Sequence, residues 1–217
     1  MSTGVRDAIV ECGVIAVVRL RAPFPRRAAS ALVAGGVTPI EITLTTPGAI
    51  ESIAELTTVI PRCIPGAGTV LDAEAAHRAI DAGAKFVVSP VFDAGVVAAC
   101  NERDVVCMAG AFTPTEMLSA WRSGAAFVKV FPSAQVGPGY VRDVLAPMPF
   151  LRIVPSGGVS GANAASWIDA GVAAVSVGTS LVNAESVSEA REQELTAAAR
   201  AVFDAVDAAR RRKSDGA

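Results

Sequence analysis

Apolar runs of four to seven residues recur along the chain. Each is followed by turn residues and then by a stretch in which apolar positions return at helical spacing. The runs at 14–20, 39–44, 63–68, 85–90, 105–109, 127–131, 152–155 and 173–177 read as strands. Helical patterns occupy 25–34, 47–57, 72–82, 94–101, 115–122, 138–146 and 162–170, and a longer one covers 187–210. The strands are apolar almost throughout, as expected of a sheet buried on both faces.

The boundaries carry their own chemistry. Asp72 is placed to cap the helix that follows it. Thr113-Pro114-Thr115-Glu116 offers a capping residue, a proline at the first helical position and a reciprocal glutamate. Helices end in Ala34-Gly-Gly, Ala82-Gly-Ala, Ser123-Gly-Ala and Ala170-Gly-Val, where glycine can turn the chain back toward the sheet.

Eight strands alternating with helices call for a parallel sheet with right-handed crossovers. The 217 residues allow about 27 per unit, enough for a single-domain (β/α)8 TIM barrel. A doubly wound open sheet is the competitor. It lacks support because no Gly-x-Gly-x-x-Gly follows the first strand, and Gly66-x-Gly68 alone is a weak motif. The expected division is an N-terminal helical lead-in (1–12), the barrel (13–211) and a flexible tail (212–217).

Composition narrows the function. Hydrophobic residues make up 52% and charged ones 18%, so a large core is available. With a net charge of −2 and no basic block before Arg210-Arg-Arg-Lys213, no nucleic-acid partner is expected. No signal pattern opens the chain, and no apolar run reaches the ~18 residues of a membrane span. Cys12, Cys63, Cys100 and Cys107 form no Cys-x-x-Cys, and His77 is the only histidine. No metal site and no cofactor are therefore expected, and scattered thiols in an apolar chain point to a cytoplasmic protein.

Lys129 stands out. It sits between Val128 and Val130 in an apolar strand, in a chain with only three lysines against sixteen arginines. A buried lysine can be neutral near pH 7 and act as a nucleophile, which arginine cannot. That chemistry suits a Schiff base with a ketone, with Glu41, the only acid inside an apolar strand, as the proton carrier. The plainer alternative is a structural lysine ion-paired to Glu41.

In such barrels chemistry collects at the C-terminal strand ends. These ends supply Arg19 for a substrate carboxylate and Thr43 on the face of Glu41. They also supply Thr69 and Ser156 as hydrogen-bonding groups, Pro90 at the end of strand 4, and Phe131 as a dry wall beside Lys129. After strands 7 and 8, Gly157-Gly158 and Gly178-Thr179-Ser180 are placed to bind a phosphate with backbone N–H groups and the start of a short extra helix. The alternative for these glycines is simple tight turns. His77 reads as a solvated helix residue, Lys85 stands at the wrong strand end, and Trp121 and Trp167 read as packing between helix and barrel.

These residues resemble the KDPG/KHG aldolases, class I enzymes acting on 2-keto-3-deoxy-6-phospho-sugar acids. The resemblance rests on Ile15-Ala-Val-Val-Arg19, Ile40-Glu-Ile-Thr-Leu44, Gly66-Ala-Gly-Thr-Val70, Ser89-Pro90, Val128-Lys-Val-Phe-Pro132, Ser156-Gly-Gly-Val159 and Gly178-Thr-Ser180. It spans almost the whole chain. It implies Lys129 as the Schiff-base residue, Glu41 as an acid/base acting through water, and Arg19, Thr69 and Pro90 around pyruvate. Gly157, Gly158, Gly178 and Ser180 would lie near the phosphate. It further implies a homotrimer that cleaves 2-keto-3-deoxy-6-phosphogluconate to pyruvate and glyceraldehyde 3-phosphate without metal.

One departure bears on the substrate. Gluconate-type members carry an arginine where this chain has Thr45, and galactonate-type members lack it. The galactonate epimer and 4-hydroxy-2-oxoglutarate thus stand as alternative substrates. A phosphate-binding barrel isomerase or a non-catalytic sensor are alternatives of a different class.

Overall fold

The computed structural model describes residues 2–215. Met1, Gly216 and Ala217, at the ends of the expected lead-in and tail, lie outside the described residues. Eight parallel strands form the barrel: β1 (Val14–Val18), β2 (Pro39–Thr43), β3 (Ile64–Gly68), β4 (Phe86–Val88), β5 (Val106–Ala111), β6 (Phe127–Val130), β7 (Ile153–Pro155) and β8 (Val175–Val177). Their order is β7-β6-β5-β4-β3-β2-β1-β8. Closure comes between β7 and β8, where Ser156 bridges Ser176 and the Ala173 N–H donates to the Ile153 carbonyl at 2.9 Å.

Helix α1 (Ser2–Cys12) precedes the barrel. The crossover helices are α2 (Arg26–Ala34), α3 (Ala49–Val59), α4 (Ala73–Asp81), α5 (Ala94–Glu102), α6 (Pro114–Arg122), α7 (Gly137–Leu145) and α8 (Ala164–Asp169). Each stands within a few residues of its predicted place. The caps explain why: the Asp72 side chain accepts from the Ala75 N–H, and Thr113 and Glu116 form a complete capping box. At the other helix ends, Gly83 and Gly124 take φ of +100° and +94°, a conformation glycine adopts without strain.

The last helix departs from the pattern. Helix α9 runs Glu192–Asp215, starting and ending five residues later than expected. The Asn183 side chain accepts from the Glu185 and Ser186 N–H groups, holding that stretch in turns. Near the other end, Arg210 donates to the Glu11 and Ala173 carbonyls, which pins α9 against the barrel rim.

Alternation along each strand separates outward from inward side chains. Outward residues such as Val14, Ile40, Val128 and Val177 meet the helices. Inward Ile15, Phe86, Met108, Phe127 and Val154 pack with Ile9 of α1, which plugs the N-terminal end. The strand pairings carry a stagger of about one residue per strand, so inward residues of alternate strands share a level. Ile15, Gly66, Met108 and Val154 make one level, and Glu41, Val88, Lys129 and Ser176 the next. Above them come Val17, Gly68, Gly110 and Ser156, and at the mouth Thr43, Pro90, Phe131 and Gly178.

Candidate active site

Lys129 is 3% exposed and Glu41 fully buried. They project inward from opposite sides of one level because their flanking residues, Val128 and Val130, Ile40 and Ile42, face the helix-side core. The Lys129 Nζ lies 5.2 Å from the centroid of the Phe131 ring. Both Glu41 carboxylate oxygens are buried without a hydrogen-bond partner among the described residues. The carboxylate lies over Gly68, where a Cβ would overlap it. Burial pushes the Glu41 carboxyl above its usual range, and the opposing fields of Lys129 and Arg19 do not restore it. The structure thus lacks the tight lysine–glutamate ion pair of the plainer sequence reading.

Above this level opens a cavity of about 270 Å³. It is lined by the expected Arg19, Phe131, Ser156, Gly157, Gly158, Gly178, Thr179 and Ser180, together with Val17, Val159 and Ser160. Val17 is the register partner of Glu41, so the cavity stands directly over the buried pair. Gly157 and Gly158 both take φ of +83°.

The carbonyls of the strand-7 loop are all engaged. Those of Ser156 and Gly157 accept from the Ser133 and Ala134 N–H groups, that of Gly158 from Asn163 Nδ2, and that of Val159 from Ser180 Oγ. The N–H groups of Gly158, Thr179 and Ser180 make no hydrogen bond among the described residues. Such an array of free donors suits an anion. The extra helix expected after β8 reduces to one turn, in which the Leu181 and Val182 N–H groups share the Gly178 carbonyl.

The other predicted residues, Thr43, Thr69 and Pro90, lie toward the mouth of the barrel and do not line that cavity. Arg19 Nη2 donates to Thr69 Oγ1 at 3.4 Å, and Thr69 takes a φ of +59°. Thr43 is buried, with its hydroxyl 3.0 Å from that of Thr45 and 3.2 Å from that of Thr46. The Pro90 carbonyl presses on Gly110, the register partner of Lys129, in the space a side chain there would fill.

Sequence reasoning missed several residues. Ser133 sits fully buried beneath the loop, its hydroxyl donating to the Gly157 carbonyl at 2.8 Å. Asn163 holds both Gly158 and the Ser160 N–H. Ser176 shares the level of Lys129. Its signal was available two residues before Gly178 on the same face, the spacing that linked Thr43 to Glu41.

A second cavity, of about 390 Å³, opens at the N-terminal end of the barrel near Arg6, Cys107, Trp121 and Arg152. There Arg152 stacks 4.5 Å from the Trp121 ring, far from the strand ends that carry the amine and the carboxylate. Trp167 is buried in α8, and His77 is half-buried on α4. Cys12, Cys100 and Cys107 are buried free thiols and Cys63 is partly exposed, with burial raising its thiol to about 12.

Residues 5–198 match the sequence model described as KDPG and KHG aldolase. The chain belongs to the KDPG and KHG aldolase family. It is an aldolase, and hence a lyase. Among its relatives, a probable 2-dehydro-3-deoxy-6-phosphogalactonate aldolase of Rhizobium meliloti (strain 1021) is 36% identical over 179 residues, covering 81% of this chain and 84% of the relative. The 2-dehydro-3-deoxy-phosphogluconate aldolase of Treponema pallidum (strain Nichols) is 36% identical over 170 residues, covering 78% and 81%. The structure of the KDPG aldolase of Legionella pneumophila, with pyruvate captured at low pH as a covalent carbinolamine intermediate, superposes with a TM-score of 0.82. It is 26% identical, and the match covers 91% of this aldolase and 97% of that chain. No helix among the described residues is long and apolar enough to cross a membrane.

Proposed function

We propose that this aldolase reversibly cleaves 2-keto-3-deoxy-6-phosphogluconate to pyruvate and glyceraldehyde 3-phosphate through a Schiff base on Lys129. The observation that carries this reading is the buried amine and the unpartnered carboxylate on one barrel level beneath a glycine-lined cavity.

The Lys129 amine adds to the C2 carbonyl, and loss of water gives an iminium. Glu41, acting through water, takes the proton of the C4 hydroxyl. The C3–C4 bond breaks, its electron pair passing into the iminium to form an enamine, and the aldehyde leaves. Protonation at C3 and hydrolysis then release pyruvate and return the amine. Burial raises the Glu41 carboxyl above its usual range, so it holds a proton more tightly than an exposed carboxyl would, which suits the proton transfers of this cycle.

Arg19 and Thr69 receive the substrate carboxylate, and Thr43 and Pro90 shape the mouth around the keto acid. Ser156 hydrogen-bonds the substrate, while Phe131 keeps the amine dry. Gly157, Gly158, Gly178, Thr179 and Ser180 hold the phosphate through backbone N–H groups.

The galactonate epimer is the second reading. It is favoured by Thr45, which is exposed beside Thr43 and brings no charge to the mouth. The gluconate and galactonate relatives match at the same 36% identity, so kinetic comparison of the two epimers must decide.

The same proposal includes a homotrimer in the cytoplasm. Exposed Leu71, Val91 and Phe112 on the loops after β3, β4 and β5 form an apolar rim suited to burial between copies. Buried free thiols at Cys12, Cys100 and Cys107 suit a reducing compartment.

Incubation with pyruvate and borohydride, followed by peptide mapping, tests the mechanism. One reduced pyruvyl group on Lys129 is expected; its absence would contradict the Schiff base. Light scattering tests the trimer.

A further inference from the structure

Buried side-chain polar atoms without a hydrogen-bond partner occur at three of the described residues: Glu41, Trp167 and Ser176. Trp167 belongs to the helix layer. The other two lie inside the barrel. Ser176 is 1% exposed, and its neighbours Val175 and Val177 join the outward core while Ala174 joins the inward one, so its hydroxyl faces in.

The strand pairings give its level. Ser176 pairs with Ile15 on one side and bridges Ser156 on the other. Val17, two residues beyond Ile15, pairs with Glu41. Ser176 therefore shares the level of Glu41, Val88 and Lys129, separated from Lys129 by β7 and from Glu41 by β1. The level beneath holds Ile15, Met108 and Val154, all apolar and buried. A buried hydroxyl with no partner is unfavourable, and nothing in that dry lower level can satisfy it. The remaining partners are the amine and the carboxylate on its own level, Ser156 on the level above, and whatever lies between them.

We infer that Ser176 is a positioning residue of the aldolase reaction, its hydroxyl holding the water that passes between Glu41 and the carbinolamine on Lys129. This rests on the Schiff-base reading above and extends it. In the dehydration step the Glu41 carboxyl passes a proton, through that water, to the C2 hydroxyl of the carbinolamine. The C2–O bond breaks, its electron pair leaving with the oxygen as water, and the nitrogen lone pair closes the C2=N bond. Hydrolysis retraces the path, with water adding to C2 and the proton returning to Glu41. Ser176 donates one hydrogen bond and accepts another throughout, and carries no net proton.

The test compares the unmodified protein with Ser176→Ala and Ser176→Thr. The readouts are exchange of pyruvate methyl protons into deuterated solvent, the pH profile of kcat, KM for the phosphorylated substrate, and borohydride trapping. Ser176→Ala is expected to retain the Lys129 adduct and an unchanged KM, to lose about tenfold in exchange rate, and to shift the pH profile. Ser176→Thr, which keeps the hydroxyl, is expected to recover most of the rate. Should Ser176→Ala not fold, Ser176→Cys, similar in volume and a poor hydrogen bonder, carries the same measurement. Unchanged exchange and pH profile with an intact adduct would overturn the role of Ser176 alone. A missing adduct in the unmodified protein would overturn the lysine assignment beneath it.

Discussion

Gly68 and Glu41 share one space: the Glu41 carboxylate occupies the position that a Gly68 side chain would take. Gly68 stands one level above Glu41, so the absence of its side chain lets the carboxylate reach toward the cavity. Gly68→Ala is expected to destabilise by about 1–3 kcal/mol through overpacking. It should also lower kcat by at least about tenfold, since small displacements of a reacting group are amplified in rate. Thermal unfolding and a cleavage assay, run together, check both; native turnover in this variant would show that the carboxylate is not needed where it lies.

Glu41 also makes a pH prediction. Burial raises its carboxyl above the ordinary 4.5. The folded state then binds the proton more tightly than the unfolded chain. The resulting stability is fully present below the unfolded pKa and is lost as the pH rises from 4.5 through the folded value. Glu41→Gln has no such proton. Its melting temperature is expected to fall less across that window and to exceed that of the unmodified protein at neutral pH, while cleavage drops by roughly 10²–10⁴. Calorimetry across pH decides, and parallel curves would contradict the assignment.

Gly178 offers a clean probe of the proposed anion cradle. A Cβ there would have Val17 Cβ as its nearest neighbour, 4.0 Å away, so alanine fits without strain. Gly178→Ala is expected to fold with native stability and to raise KM for the phosphorylated substrate by about tenfold through one displaced contact. Exchange of pyruvate protons, which needs no phosphate, should stay unchanged. Equal KM values would remove Gly178 from the phosphate site.

The α6 capping box predicts a purely structural effect. Thr113 Oγ1 accepts from the Glu116 N–H at 3.3 Å, and Glu116 Oε2 accepts from the Thr113 and Phe112 N–H groups at 2.8 Å. These bonds hold the Glu116 carboxyl below its usual range, so their contribution is present above the unfolded pKa and lost as the pH falls. Thr113→Ala is expected to reduce stability by about 1 kcal/mol. Denaturant titration gives the stability change, and steady-state kinetics should show native KM values.

Much of this protein is decided residue by residue. Alternation sets Lys129 opposite Val128 and Val130, and Glu41 opposite Ile40 and Ile42, whatever the fold. The Asp72 and Thr113 caps and the glycines at 83 and 124 set where helices begin and end, because capping and left-handed turns act over only a few neighbours. The glycines at 157 and 158 take left-handed turns for the same reason.

The levels inside the barrel were settled otherwise. Which inward residues meet depends on the stagger accumulated over eight strands, a property that no single strand carries. Only the closed barrel brings Ser176 beside Lys129 and Glu41, sets Val17 over the buried pair, and lets the Pro90 carbonyl rest on Gly110. Likewise, helix α9 extends past its expected end where Arg210 finds carbonyls at residues 11 and 173, remote in sequence and adjacent only in the fold. Local stereochemistry is written in short stretches of chain; the company a side chain keeps is set by the packing of the whole.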